Sequence, residues 1–368
     1  MTPGTRLPRA VLVTGATGLV GGGVVRRLLE SDRDVHVHAL VRSPGSAGVL
    51  LARSGAEATR ITPVIGDVTL PDLGIDSATR GRLSRSVRAV VHAAADTTFS
   101  RALADARAVN TAGTGNLLAL VAGWNLERFV HVSTAFVAGG HVGAIPESML
   151  SGTAGFVNGY EQSKYEAELL VRASGLPYVI VRPSVIICDD VHGAVTQFNA
   201  AHRALRVIHA GLGALMPGSA DTPLDLVTAA HVIKGTVALG FASGSIGGSY
   251  HLCAGSGAIA LGDLLDIAYD IWSRDPCWRR RGILRPALTD LGTYRLFERS
   301  VEETGDIRLT TITRSMSHFV PQLALPKRFD STLADAMLGA AAVPVQSYWG
   351  RVVEYLIATR WGSDRSAA

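Results

Sequence analysis

The stretch TGATGLVG at residues 14–21 constrains the fold of this chain more than any other. It joins an apolar segment at 10–15 to a helical pattern at 19–31, and a second apolar segment, VHVHALV, follows at 35–41. Glycines at such a junction permit a tight turn and let the backbone approach a pyrophosphate at the helix N-terminus. The stretch predicts a dinucleotide-binding loop whose contacting residues are Gly15, Thr17, Gly18, Leu19, Val20 and Gly21. A glycine-rich turn without a ligand is the alternative.

Strand and helix patterns alternate along the first half of the chain. Runs rich in valine and isoleucine predict further strands at 62–68, 89–95, 128–137 and 177–186. Helical segments are predicted at 78–86, 101–124, 160–173, 194–210, 224–239, 261–272 and 345–361, with one late strand at 249–254. The alternation predicts an α/β fold, a Rossmann-type doubly wound parallel sheet with right-handed crossovers. The later pattern predicts a smaller, mostly helical C-terminal substrate lobe.

Domain boundaries follow from the point where the alternation weakens, near residue 190. Residues 6–190 and 223–255 are predicted to form the dinucleotide-binding domain. Residues 191–222 and 256–361 are predicted to form the substrate-binding lobe. The last residues, 362–368, have the composition of a flexible tail.

Composition narrows the class of protein. The chain has 368 residues, of which 47% are hydrophobic and 18% charged, as in a well-buried globular protein. A net charge of +4 without a concentrated basic stripe argues against a nucleic-acid partner. Three cysteines without a CxxC pair suit a reducing compartment, so we expect a cytoplasmic protein. No signal peptide is recognisable, and no window offers the ~20 apolar residues of a transmembrane segment.

The end of the second predicted strand indicates which dinucleotide is bound. An acidic residue there would hold the ribose 2′-hydroxyl of NAD, whereas this chain has VRSP, with Arg42 at that point. A guanidinium is a planar, permanently charged partner for a 2′-phosphate, so the sequence favours NADPH. Arg42 as a solvated strand-end residue is the alternative. Asp67, after the third strand, could accept a hydrogen bond from the adenine amino group. The alternative is an aspartate that only stabilises the turn.

Three polar residues form the candidate catalytic group. Thr134 follows a strand whose carboxyl end should face the cofactor crevice, and Tyr160 stands four residues before Lys164 on the next helix. Taken alone, Tyr160 and Lys164 are an ordinary helix pair. Together with the phosphate loop they predict one site, in which Tyr160 exchanges a proton with a carbonyl oxygen and Thr134 stabilises the oxyanion. Lys164 would lower the pKa of the phenol and hold the nicotinamide ribose.

The sequence resembles the extended short-chain dehydrogenase/reductases over residues 10 to about 254. The matching pieces are TGATGLVG, GDV, HAAA, VNTAGTGNLL, VSTAFVAG, YEQSK and VRPSV. The resemblance implies catalytic roles for Thr134, Tyr160 and Lys164, and a supporting role for Asn110. It also implies cofactor contacts from the segments that contain Asp67, Val68, Ala93, Ala94, Asn110, Lys164, Pro183, Ser184 and Val185.

Within that family, several segments are similar to the acyl-thioester reductase branch, which includes fatty acyl-CoA reductases and the terminal reductase domains of carboxylic acid reductases. They are GDVTLPDLGID, VNGYEQSKYEAELLV, PLDLVTAAHVI and two C-terminal segments, LPKRFDSTLADAMLG and SYWGRVVEYLIATRW. The resemblance implies hydride transfer from NADPH to a thioester of coenzyme A or an acyl carrier protein, giving an aldehyde, which a second hydride could reduce to the alcohol. Two segments depart from the branch pattern, at 188–193 and 228–230.

Other functions stay open at this stage. One is an extended-family oxidoreductase acting on a free ketone, aldehyde or alcohol, or on a sugar nucleotide. The other is an NADP-binding sensor without turnover, against which the intact Tyr160 and Lys164 argue.

The histidine pairs, an arginine-rich run and the last helix do not by themselves indicate a further site. The histidine pairs His36/His38 and His202/His209 predict packing or surface histidines rather than a metal site. The run WRRRGILRP at 278–286 is either a solvated loop or a docking surface for an anionic carrier, with Arg279 and Arg280 as its centre. The apolar spacing in the last helix predicts lobe core or the face of a homodimer.

Overall fold

The computed structural model describes residues 7–148 and 150–363. Within them, a sheet of seven strands organises the first part of the chain. Its strands are β1 (Ala10–Thr14), β2 (His36–Val41), β3 (Ile61–Ile65), β4 (Ala89–His92), β5 (Arg128–Val132), β6 (Tyr178–Pro183) and β7 (Ser249–Leu252). Residue 6, where the dinucleotide-binding domain was predicted to begin, and residues 364–368 of the predicted tail lie outside the described residues.

The strand order is β7-β6-β5-β4-β1-β2-β3, and every neighbouring pair is parallel. The chain runs outward from β1 to β3, then returns to place β4 on the other side of β1. Loops after β1 and β4 therefore diverge and leave a crevice at the carboxyl ends of these strands, where doubly wound folds bind ligands.

Helices cover both faces of the sheet and continue through the C-terminal third. They are α1 (Leu19–Ser31), α2 (Pro44–Ser54), α3 (Ser77–Ser86), α4 (Leu103–Arg107), α5 (Gly113–Val121), α6 (Gly159–Ala173), α7 (Ala200–His209), α8 (Ala229–Gly240), α9 (Leu261–Ser273), α10 (Pro276–Arg280), α11 (Leu291–Glu303), α12 (Ile307–Met316), α13 (Thr332–Leu338) and α14 (Gln346–Ala358).

Two apolar clusters lie on opposite sides of the sheet. Val24 and Leu28 of α1 pack with Val237 of α8 on one side. Leu83 of α3 and Leu117 of α5 pack with other apolar residues on the other side. The predicted α/β class and doubly wound architecture are confirmed, and the near-continuous apolar strands follow from burial on both faces.

Several predicted boundaries were wrong. The strand predicted at 128–137 stops at Val132, because Thr134 caps a 3₁₀ turn, Ala135–Ala138, by accepting a hydrogen bond from the Phe136 amide. The predicted helix at 194–210 begins only at Ala200. Its N-cap is Asn199, whose side chain accepts hydrogen bonds from the first-turn amides and so fixes the start of α7.

The helix predicted at 101–124 is interrupted by a π-helical turn, Ala108–Ala112, between α4 and α5, and it ends at Val121. Such a turn adds a residue within a helix and shifts the side chains that follow, a change that is frequent at functional sites. Asn110 lies in this turn.

The C-terminal helices pack around the largest apolar cluster of the described chain. Tyr348, Trp349, Val352 and Leu356 of α14 are buried in it, whereas Tyr355 is half-buried. The Tyr348 hydroxyl donates to the Leu226 carbonyl at 3.0 Å, and the Trp349 indole donates to Leu264 at 3.0 Å. The apolar spacing of the last helix therefore reflects lobe core.

The lobe is tied to the sheet at more than one place. The large cluster also includes Val179 and Val181 of β6, and a short strand, Lys327–Phe329, pairs in parallel with Gly143–Ile145. The exact division between domain and lobe stays a prediction. Across residues 7–148 and 150–363, no helix combines the length and apolar character needed to cross a membrane.

Candidate active site

The phosphate loop joins β1 to α1 at the point where the strand order reverses. Gly15 has a φ of +70°, and a Cβ there would lie 2.7 Å from the backbone of Ala93 and Ala94, just beyond β4. A Cβ at Gly21 would lie 2.2 Å from the Gly15 carbonyl oxygen. Any larger residue at either position would displace the loop, so glycine is required at both.

The N-terminus of α1 has the chemistry of an anion site. Gly18 is its N-cap, and no side chain caps its first amides in the described structure. Thr17 and Gly18 are exposed, while Leu19 and Val20 are half-buried. Uncapped amides at the N-terminus of a 13-residue helix favour negative charge, so this loop fits the pyrophosphate of a dinucleotide.

A second candidate anion position lies after β2. Arg42 is exposed, and the next residue, Ser43, caps α2 by accepting a hydrogen bond from the Ser46 amide at 3.2 Å. After β3, Asp67 accepts hydrogen bonds from the Thr69 amide at 2.9 Å and hydroxyl at 2.8 Å. The Asp67 carboxylate therefore makes the local turn that the sequence left open as an alternative.

The other predicted cofactor residues lie at or behind the same crevice. Ala93 and Ala94 border the phosphate loop and are half-buried. Val68 is buried, and its carbonyl accepts a hydrogen bond from the Asn116 side chain at 2.8 Å.

Pro183 ends β6 beside the candidate catalytic group, and its carbonyl accepts a hydrogen bond from the Thr134 hydroxyl at 3.4 Å. Ser184, the next residue, is buried. Val185 is half-buried and lines an apolar pocket that extends into the lobe.

The structure brings Thr134 and Tyr160 together. Both are buried, at 4% and 8% exposure, and the threonine hydroxyl lies close enough to the phenol to affect its pKa. Burial raises the pKa of Tyr160 to about 12; the Thr134 hydroxyl opposes this shift, and the Glu161 carboxyl adds to it. The phenol therefore keeps its proton at neutral pH, which suits a proton donor.

Lys164 lies one helical turn beyond Tyr160 on the buried face of α6. Its Nζ donates to the Val132 carbonyl at 2.8 Å and lies 3.3 Å from Nε2 of His131, one residue earlier on β5. Burial lowers the pKa of Lys164 to about 8, and the Glu168 carboxylate opposes this shift. The lysine is thus anchored at the end of β5.

Asn110 holds the two halves of the site together. Its amide group donates to the Asp96 carbonyl at 3.0 Å and to the Ser163 hydroxyl at 2.9 Å, while its oxygen accepts from the Asp96 amide at 2.8 Å. The Ser163 hydroxyl donates in turn to the Tyr160 carbonyl at 2.9 Å. The π-helical turn aims Asn110 at these partners, so the loop after β4 and the start of α6 are fixed relative to each other.

Two buried histidines that sequence reasoning did not select lie beneath this group. The His92 ring bridges the hydroxyls of Thr14 at 2.7 Å and Thr114 at 2.9 Å, and its centroid is 5.4 Å from that of His131. Burial, with a smaller contribution from the Lys164 charge, lowers the pKa of His92 to about 3, and the pKa of His131 is also well below its usual value. Both rings are therefore neutral at the ends of their strands.

A second set of missed residues connects α6 to the lobe. Glu161, next to Tyr160, accepts hydrogen bonds from the Val157 amide at 3.0 Å and from the Gln322 side chain, and the Gln322 oxygen accepts from Lys327 at 2.8 Å. Burial raises the pKa of Glu161 to about 7 and lowers that of Lys327 to about 8.

Aromatic rings make the other contact between the lobe and the site. The Phe99 ring lies 5.4 Å from the Tyr160 ring and 6.3 Å from the Phe319 ring. The lobe segment from Phe319 to Lys327 therefore closes one side of the candidate active site. No local sequence signal marks it, because its partners are far away in the chain.

A buried ion pair ties α6 to β6 behind the lysine. Arg182 donates to both carboxylate oxygens of Glu168, at 2.9 and 2.7 Å, and to the Ser148 carbonyl at 2.8 Å. The arginine keeps the pKa of Glu168 below its usual value despite burial. Bidentate geometry of this kind fixes the rotation of α6, and with it the direction of Lys164.

Cys188 and Cys253 are buried, and His202 and His209 pack or hydrogen-bond inside the protein. Burial raises the pKa of Cys188 to about 12 and that of Cys253 well above its usual value, so both stay thiols. His209 packs among tryptophan rings, and His202 hydrogen-bonds the Ile187 carbonyl at 2.8 Å. Among residues 7–148 and 150–363, no three histidine, cysteine or acidic side chains form a group that could hold a metal ion.

Residues 228–230, which differ from the pattern of the acyl-thioester reductase branch, have a structural role. Thr228 is the N-cap of α8, and its hydroxyl accepts a hydrogen bond from the His231 amide at 3.1 Å. The segment thus starts the helix that packs against α1.

Comparison with known proteins connects this geometry to a family. The profile of the NAD-binding family described as "Male sterility protein" matches residues 13–236. Isonitrile lipopeptide synthase from Streptomyces coeruleorubidus is 34% identical over 254 residues, 62% of this chain and 17% of the synthase. A linear gramicidin synthase chain from Brevibacillus parabrevis is 30% identical over 264 residues, 66% of this chain and 5% of its own length. The chain therefore spans a small part of these relatives.

Among solved structures, the terminal R domain from the myxalamid PKS-NRPS biosynthetic pathway superposes with a TM-score of 0.80. It covers 98% of this chain and 93% of the R domain, at 24% identity. This likeness extends over the sheet and the C-terminal lobe, and it shows a shared fold.

Proposed function

The chain belongs to the NAD-binding male sterility protein family, and from that premise we propose that it is an NADPH-dependent reductase of acyl thioesters. The observation that carries the proposal is the arrangement of Thr134, Tyr160 and Lys164 at the carboxyl ends of β5 and β6, beside the phosphate loop. The family accounts for a nicotinamide cofactor. The choice of NADPH, the roles of the site residues and the thioester are our proposal.

When bound, the cofactor supplies a hydride to the carbonyl carbon of the substrate. The Tyr160 hydroxyl, kept protonated by burial, donates its proton to the oxygen that gains negative charge, while the Thr134 hydroxyl hydrogen-bonds the same oxygen. The resulting hemithioacetal loses a thiol and gives an aldehyde. One hydride and one proton are consumed, and one aldehyde and one thiol are formed.

Lys164 serves this reaction as a cation anchored in the protein. The Val132 carbonyl and His131 hold its Nζ, so part of its hydrogen-bonding capacity is left for a ribose hydroxyl. Its pKa of about 8 allows the ammonium form to predominate at neutral pH. The positive charge also favours the oxyanion that forms at Tyr160.

The preference for NADPH rests on Arg42 and Ser43. The arginine is exposed directly after β2, and the serine begins α2. A guanidinium and a helix N-terminus favour a phosphate group at the same place. A 2′-phosphate carried by the adenine ribose is the group that these residues would recognise.

The thiol carrier is expected to be anionic. Arg279 and Arg280 are exposed on α10, whereas Arg274 pairs with Glu354 at 3.2 Å and Arg285 pairs with Asp266. Charge reversal at Arg279 and Arg280 should raise the KM for an acyl carrier protein or coenzyme A substrate, with Arg85 on α3 reversed as the control. An unchanged KM with both carriers would remove this surface from the proposal.

The first test of the function is oxidation of NADPH in the presence of acyl-coenzyme A, acyl-pantetheine, free aldehydes and free ketones. Thioester-dependent oxidation with stoichiometric thiol release would establish the proposed reaction. Turnover restricted to free carbonyls would reject the thioester and leave an oxidoreductase of another substrate class.

Tyr160→Phe tests the role of the phenol, and Tyr165→Phe on the same helix is its matched control. Tyr165 is half-buried, with its ring 5.2 Å from Phe156. We expect Tyr160→Phe to lower kcat by roughly 10²–10⁴-fold with unchanged NADPH binding, and Tyr165→Phe to keep its activity. Equal losses in the two variants would contradict the assignment.

A further inference from the structure

An apolar pocket opens beside the candidate active site and extends into the lobe. Its walls come from β6–α7, the segment before α8, helix α9 and the lobe segment 319–329, and include Val185, Leu205, Ile208, Met216, Leu264 and Leu265. Building on the proposed function, we propose that this pocket binds the acyl chain and selects a linear hydrocarbon over a polar or charged acyl group.

The pocket is connected to the catalytic group at several independent points. Phe136 lines it and donates its amide to the Thr134 hydroxyl at 3.2 Å. Phe319 lines it and stacks on Phe99, whose other neighbour is the Tyr160 ring. A chain that enters the pocket therefore has its first carbons next to Thr134 and Tyr160.

Gln322 gives a third connection. It lines the pocket and donates to Glu161, the residue after Tyr160. The carbonyl of a chain held in the pocket would thus lie where the oxyanion donors converge.

The few polar groups of the pocket are already occupied. Asp225 accepts hydrogen bonds from the amides of Ala254 at 2.7 Å and Gly255 at 2.9 Å. Lys327 and Gln322 bond to each other at 2.8 Å. A polar substituent on the acyl chain would lose its hydration here without gaining partners, whereas a hydrocarbon loses nothing.

Helix α7 determines how much room the pocket has. Ala201, Ala204, Leu205 and Ile208 line it, a spacing that places them on one face of the helix. The two alanines are small, and a larger residue at either would occupy the space. Met216 also lines the pocket, and a smaller residue there would enlarge it.

Chain-length preference is the property that reports on this pocket. With acyl-pantetheine substrates, each added methylene that the pocket buries should raise kcat/KM about fourfold until the pocket is full. Pentanoyl-pantetheine should be preferred strongly over glutaryl-pantetheine, which has the same number of carbons and a terminal carboxylate. Equal use of these two substrates would overturn the proposal.

Two variants with opposite effects test the location. Ala201→Phe should shorten the preferred chain and lower kcat/KM for dodecanoyl-pantetheine more than tenfold, while butyryl-pantetheine changes little. Met216→Ala should move the preference toward longer chains. Ala78→Phe, on the exposed face of α3, is the matched control and should behave as the unaltered protein. A chain-length preference that neither pocket variant moves would place the acyl chain elsewhere.

A binding experiment separates this proposal from the proposed function. Cis-parinaric acid should bind the protein with increased fluorescence, dodecanoate should displace it, and Ala201→Phe should weaken its binding more than tenfold. Binding of this kind without thioester turnover would reject the reductase function and retain the pocket. Thioester turnover without such binding, and with chain preference unchanged in both variants, would reject the pocket and retain the reductase.

Discussion

Nζ of Lys164 lies 3.3 Å from Nε2 of His131, and both side chains are buried. An ammonium group has only donors, so the histidine must accept with an unprotonated Nε2 and carry its proton on Nδ1. Burial, with a smaller contribution from the Lys164 charge, keeps the His131 pKa well below its usual value, so the ring is neutral and Nε2 is free to accept. His131 is therefore positioned to hold the lysine while leaving its charge intact.

The first prediction concerns His131 as a positioning residue. His131→Leu should lower kcat by roughly 10- to 100-fold, because a hydrogen bond from a charged donor is worth about 1.5–3 kcal/mol. His131→Asn, whose side-chain oxygen offers an acceptor, should recover part of that loss. Steady-state kinetics with both variants would check this.

A merely structural histidine would give a different pattern. In that case both variants would lose activity in proportion to their loss of folded protein, and asparagine would rescue nothing. The unfolding midpoint of each variant should therefore be measured together with kcat.

The second prediction concerns pH. The pKa of Lys164 in the free protein is about 8, because burial disfavours the charged form. The ammonium form exists below that pH and is lost above it, so kcat/KM for NADPH should fall as the pH rises through about 8. In His131→Leu the pH at which it falls should move, because a direct neighbour of the ammonium has been replaced. A profile that is flat up to pH 10 in the unaltered protein would contradict the role given to Lys164.

The third prediction concerns the selection of NADPH. Arg42→Glu should raise the KM for NADPH by roughly 10- to 100-fold, because a charge-assisted contact to the 2′-phosphate is lost and a repulsive charge is gained. The KM for NADH, which has no such phosphate, should change little. Arg53→Glu, exposed at the far end of α2, is the control for the change in net charge. Parallel increases for NADPH and NADH would show that Arg42 does not read the phosphate.

The fourth prediction concerns the stability of the contact between α6 and the lobe. Burial raises the folded-state pKa of Glu161 from 4.5 to about 7. Between about pH 4.5 and 7 the folded protein holds this proton while the unfolded chain has released it. The free energy of unfolding therefore falls as the pH rises through this range. A shift of this size corresponds to on the order of 3 kcal/mol.

Glu161→Gln removes that titration while keeping a side chain of similar size. The free energy of unfolding of the variant, minus that of the unaltered protein, should rise across pH 4.5–7 and stay constant just above it. Glu127→Gln, whose carboxyl is exposed just before β5, should show no such rise. Urea unfolding at a series of pH values would measure both differences, and parallel curves for the two variants would contradict the buried carboxyl.

Local patterns in the sequence were sufficient for the fold class. The phosphate loop, the alternation of strands and helices, and the apolar face of the last helix each depend on residues close together in the chain. Boundaries were less accurate where one side chain decides them, as when Thr134 ends β5 by capping a turn. Helix α2 was missed although it begins with Ser43 and Pro44, a strong start signal.

The sequence by itself determined that Tyr160 and Lys164 share one face of a helix, since that follows from their spacing. Only the tertiary structure decided what surrounds them. His131 reaches Lys164 because β5 and α6 pack together, and Gln322 reaches Glu161 across 161 residues of chain because the lobe folds back over the site. Spacing fixes neighbours within an element, whereas contacts between distant elements depend on how complete apolar surfaces are buried against each other.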